Sequence, residues 1–135
     1  MRIWKTLRIW GDVMFRINDD MTIECTRGDA AVFSVGANVA NTPYTFRVGD
    51  VVRFSVFGKK DCSEVVLQKD TEVAEETEAV EITLSSEDTR IGGVINKATD
   101  YWYEVELNPE TYPQTIIGYD ENGAKVFKLY PEAEA

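Results

Sequence analysis

The chain has 135 residues, 44% hydrophobic and 11% aromatic, which suits one domain with its own core and excludes a wholly disordered polymer. A formal net charge of −10 argues against nucleic acid and anionic membranes as partners, because both are polyanions. Histidine is absent, which removes the commonest general base and the commonest metal ligand together, and two cysteines do not make a disulfide framework.

Residues 1–20 read as a basic and apolar arm. Ile3, Trp4, Leu7, Trp10 and Met14 recur at helical spacing, but Gly11-Asp12 interrupts them and Asn18-Asp19-Asp20 is a turn. Arg2, Lys5, Arg8 and Arg16 against Asp12 give residues 1–17 a charge of +3, leaving −13 on residues 18–135. Two readings stand side by side. The arm packs on another copy or another protein, or it is an extension before a domain that starts at Met21. The segment lacks the continuous apolar centre and small-residue cleavage site of a secretory signal. No run approaches the roughly 18 apolar residues of a membrane span.

From Met21 the pattern is short strands broken by turns. Thr22–Thr26 carries Cys25 as a small core residue. Arg27-Gly28-Asp29 then turns the chain into a strand with Ala31, Phe33 and Val35 alternating. The tripeptide matches an integrin-binding motif, yet between two strands it is an ordinary turn. Residues 36–42 form a small-residue loop, and Tyr44, Phe46 and Val48 alternate up to the turn Gly49-Asp50. In Val51–Phe57, Val52, Phe54 and Val56 share one face. Residues 58–63 turn, with Cys62 exposed, into Glu64–Lys69, whose Val65 and Leu67 point inward.

The acidic run 70–78 reads as a solvated loop. Val80, Ile82 and Leu84 then alternate against Glu81 and Thr83, and Asp88 or Thr89 caps one helical turn. In Tyr101–Leu107, Tyr101, Tyr103, Val105 and Leu107 face the core, while Trp102, Glu104 and Glu106 lie opposite. Gln114–Tyr119 is a strand, Asp120-Glu121-Asn122-Gly123 a hairpin turn, and Lys125–Tyr130 the return strand. The acidic tail 132–135 closes the chain.

Seven to nine short strands with turns about every ten residues predict an all-β, antiparallel β-sandwich over residues 21–131. No catalytic motif, cofactor motif or metal-ligand spacing appears. Glu104 and Glu106 share a face without a cleft-forming loop beside them, and scattered loop acids such as Asp61 and Asp88 match no calcium loop. Trp102, on the wet face, is the aromatic whose burial requires a second layer or a partner.

Several segments in this order resemble a known family. They are Arg27-Gly28-Asp29 before an apolar strand, Tyr44–Asp50 leading into Val51–Val56, Ile82-Thr83-Leu84 with Glu87-Asp88-Thr89, and Tyr101–Leu107 followed by Gly118-Tyr119-Asp120. The layout is similar to the Ig-like N-terminal domain of phage baseplate upper proteins and related head or tail fibre proteins. The resemblance implies a non-enzymatic virion structural protein, assembled in the bacterial host cytoplasm, that self-associates and docks other virion proteins. It supplies no catalytic residues. Family members carry a long fibre or coiled-coil extension after this domain, whereas this sequence stops at Ala135. That departure points to a small structural, adaptor or decoration protein, or to an anchor whose partner is another chain. The interface candidates are Trp4, Trp10 and Trp102, with Arg2, Lys5 and Arg8 as charge partners for an acidic neighbour. The alternative is a carbohydrate- or surface-binding sandwich module, with Trp102, Tyr119 and neighbouring aromatics as a sugar-stacking platform.

Overall fold

The computed structural model describes residues 2–4 and 15–132. It is all-β, two sheets packed face to face, with no helix among the described residues and hence none long and apolar enough to cross a membrane. The smaller sheet has the order β1 (Arg2–Trp4), β4 (Ala31–Gly36), β9 (Val80–Leu84). The larger runs β2 (Phe15–Ile17), β3 (Ile23–Thr26), β12 (Lys125–Tyr130), β10 (Thr99–Leu107), β7 (Val51–Phe57), β8 (Val65–Glu72), with β11 (Gln114–Ile117) added to β10. A two-residue-per-strand hairpin, β5 (Asn38–Val39) with β6 (Thr42–Pro43), stands apart.

Period-two alternation places the core. Val80, Ile82 and Leu84 of β9 are buried while Glu81 and Thr83 are exposed, and Tyr103, Val105 and Leu107 of β10 are buried between half-exposed neighbours. An aromatic cluster joins the sheets: Phe33 of β4 lies 5.3 Å from Phe54 of β7, which also contacts Tyr103 and Phe127. Rings at these centroid distances add about 1 kcal/mol per pair beyond their area.

The first twenty residues contribute strands to both sheets. Arg2–Trp4 pairs antiparallel with β4, and Phe15–Ile17 pairs with β3 across from Cys25, Glu24 and Ile23. Phe15 is 6% exposed and stacks on Phe33, so the packed body extends upstream of Met21. Of the helically spaced set, Ile3 and Trp4 lie in a strand, whereas Leu7, Trp10 and Met14 lie outside the described residues.

Five local expectations change. β3 and β12 pair parallel, whereas the other strand pairs among the described residues are antiparallel. β11 and β12 do not form a hairpin with each other. Both pair antiparallel with β10 on the edge away from β7, end to end, and the turn at Asp120–Gly123 is an outward excursion between them. The loop expected over residues 36–42 gives way to the small hairpin of residues 38–43, turning at Ala40 and Asn41 with φ of 49° and 65°. Residues 70–72 continue β8 and Val73 is buried, so the acidic run begins as strand; Tyr44–Val48 forms only the bridge Phe46–Thr77, with Val48 exposed.

The turn after β9 is capped by Ser85 and Asp88 rather than by Thr89. The Asp88 amide donates to Ser85 Oγ at 3.1 Å and the Ser85 amide to Asp88 Oδ2 at 2.8 Å. Thr89 is fully buried and serves the Arg27-Gly28-Asp29 turn. Its Oγ1 accepts from the Gly28 amide at 3.0 Å and donates to the Asp29 carbonyl at 2.8 Å.

Candidate interaction surface

The outer face of the larger sheet carries an apolar row crossing four adjacent strands. Trp102 of β10 lies opposite Val126 of β12 on one side and Phe57 of β7 on the other, and Phe57 lies opposite Val65 of β8. Trp102 and Val126 are half-buried, Phe57 is buried yet outside the core cluster, and Val65 is 54% exposed. Val65 therefore departs from the expected inward position. The cause is a β-bulge between Val56 and Phe57, which sets Val56 against Leu67 but Phe57 against Val65. One extra residue flips the side of the sheet that a side chain takes.

Paired charges surround the row. On one flank Asp100 faces Lys128, at 3.8 Å, and Glu24 meets Arg16 at 3.6 Å and the Tyr130 hydroxyl at 2.9 Å. On the other, Arg53 grips Asp70 with two hydrogen bonds of 2.7 and 3.0 Å and Glu110 with a third of 2.9 Å. Hydrogen bonding to Arg53 holds the Asp70 carboxyl below its usual range. Glu104, immediately beside the row, behaves oppositely. Partial burial, then the charge of Glu106 and a hydrogen bond with it, push its pKa up. An apolar centre with a charged rim is the anatomy of a protein interface.

Of the interface candidates read from sequence, Trp102 sits at the middle of this row. Arg2 and Trp4 lie in β1 on the other sheet, where the backbone alone is described. Lys5, Arg8 and Trp10 lie outside the described residues. Sequence reading missed Phe57 and Val65. Phe57 was detectable, since it falls one position out of step with Val52, Phe54 and Val56.

Other features carry less chemistry. An open groove of about 720 Å³ is lined by Val39, Pro43, Tyr44, Arg47, Glu76 and Gln114 among others, with no convergent set of titratable groups. Among the described residues no three His, Cys, Asp or Glu side chains converge on a metal position. Cys25 and Cys62 are both free; burial pushes the Cys25 thiol up to about 12. Tyr112 and Tyr119 are the most exposed tyrosines, and they flank β11 at opposite ends rather than side by side. No family model matches the chain, and neither a curated protein nor a solved structure is matched by it.

Proposed function

We propose that this protein is a non-enzymatic assembly module, a structural component of a phage virion that self-associates and docks other virion proteins through the outer face of its larger sheet. The observation that carries the docking reading is the apolar row Val126–Trp102–Phe57–Val65, set on a face that alternation makes polar elsewhere. A tryptophan flanked by apolar neighbours and ringed by charged pairs is the composition of an interface hot spot. Glu104 and Glu106 beside the row favour a cationic partner segment. The basic residues Arg2, Lys5 and Arg8 of a second copy have the required sign.

The virion assignment rests on the segment layout described from sequence. The strand order supports its Ig-like part: β4 and β9 in one sheet face β12, β10, β7 and β8 in the other, with β3 parallel to the last strand.

Light scattering over a range of concentrations tests the reading. The expected result is a defined oligomer in which Trp102→Glu weakens association at least tenfold while the circular dichroism spectrum is unchanged. A protein that stays monomeric at every concentration, and captures no virion protein in a reconstituted assembly, would sink it.

A further inference from the structure

The Arg27-Gly28-Asp29 turn, which leaves the end of β3 and whose Arg27 amide donates to the Tyr130 carbonyl at 2.9 Å, builds a second site. The Arg27 side chain is 9% exposed, and its Nη1 donates to Glu132 Oε1 at 2.7 Å while Nη2 donates to the Gly92 carbonyl at 3.2 Å. Its Nε is buried without a hydrogen-bond partner among the described residues. Arg90 approaches the other carboxylate oxygen, Nη2 to Glu132 Oε2 at 3.8 Å, and is steered by its Nη1 hydrogen bond to Ser86 Oγ at 2.9 Å. Gly28 forms the floor: a Cβ there would stand 2.7 Å from Glu132 Oε2 and 3.3 Å from Arg90 Nη2. Thr89 fixes the turn from beneath through its two hydrogen bonds.

Two arginines therefore divide the two oxygens of one carboxylate over a glycine, in a chain that is otherwise strongly acidic. A buried guanidinium without a carboxylate is costly, so the site requires an anion. The planar fork of arginine selects carboxylate geometry. The present occupant sits on the segment leaving β12 just after Pro131, and its side chain is 38% exposed. It is held at its rim by ion pairs of modest strength. The unpartnered Nε leaves one donor that Glu132 does not use.

We propose that Arg27, Arg90 and Gly28 form a carboxylate-binding site for an acidic segment of a partner protein, and that Glu132 is its built-in competitor. A glutamate presented on an extended Pro-Glu segment displaces Glu132, lies across the Arg-Gly-Asp turn and satisfies both arginines. Glu132 thus acts as a plug whose removal opens the site. The proposal is independent of whether the outer sheet face mediates self-association.

The test uses the full chain carrying Glu132→Gln and, as probe, an amidated peptide with the sequence of residues 130–135, followed through the amide resonances of Gly28 and Gly92. The expected result is a saturable shift of both signals, with an apparent affinity roughly tenfold tighter than for the unmodified chain, because the tethered competitor acts at about millimolar effective concentration. A peptide with both glutamates replaced by alanine should leave the signals in place, and so should adding Arg90→Ala to the Glu132→Gln chain. Absence of a shift in the Glu132→Gln protein, or an equal shift after Arg90→Ala, overturns the proposal. A response to inorganic phosphate in place of the peptide overturns the carboxylate assignment. If Glu132→Gln fails to fold, Glu132→Asp, which withdraws the carboxylate by one methylene, reads the same titration with the same outcomes.

Discussion

At the scale of single residues, Phe54 and Glu104 sit on the two faces of the larger sheet and illustrate opposite rules. Phe54 is fully buried and touches rings from three other strands, so Phe54→Ala should cost about 3–5 kcal/mol, read as a lower denaturant midpoint with an unchanged slope. Glu104 is held partly out of water beside Glu106, with its pKa raised. A raised acid stabilises the fold only while protonated, and that contribution fades as pH rises through its folded pKa. Glu104→Gln should therefore stabilise the fold at pH 7 by less than about 1 kcal/mol after solvent screening, read as a higher melting temperature, and leave it nearly unchanged at pH 4. Asp70 runs the other way. Its lowered pKa means the bond to Arg53 contributes above the normal carboxylate range and is lost as pH falls through the folded value. Asp70→Asn should flatten the acid limb of a stability profile measured between pH 2 and pH 5.

At the scale of elements, strands were legible wherever one face is buried and the other wet. Val80–Leu84 and Tyr101–Leu107 emerge in register because their alternation is driven by the core they cover. The bulge opposite Phe57 was not legible, since nothing in the composition of residues 64–69 marks an unpaired residue, and its effect on Val65 follows only from the partner strand. The end-to-end placement of β11 and β12 was hidden for the same reason: a glycine turn signals reversal, but which edge is free is a tertiary fact. Asn108 marks a junction that sequence showed only as a strand end. Its φ is 48°, its Oδ1 accepts from the Val51 amide at 2.8 Å, and its Nδ2 donates to Asp50 Oδ1 at 3.1 Å. Asp50 in turn accepts from the Tyr44 hydroxyl and the Arg47 amide through Oδ2. Asn108→Ala should destabilise by about 2 kcal/mol, from a left-handed backbone plus an orphaned amide. Asn108→Gly should recover only the backbone share, so the two melting temperatures should separate.

For the molecule as a whole, the interface candidates divide between what periodicity exposes and what only assembly of the sheet reveals. Trp102 was visible as an aromatic out of phase with its strand, whereas the row it completes exists only once β12, β10, β7 and β8 lie side by side. The parallel contact of β3 with β12 has a mechanical meaning. Ile23 through Thr26 and Phe127 through Tyr130 run in the same direction as close neighbours. Tension applied at the two termini first detaches β1 from β4 and peels β2 from β3, and then drags β3 backwards while β12 is hauled forwards. The bonds between them are loaded in shear and give way together instead of unzipping singly. In an optical trap, tethers at the two termini should meet a single tall rupture, whereas tethers pulling across β7 and β8 should meet a low, gradual one.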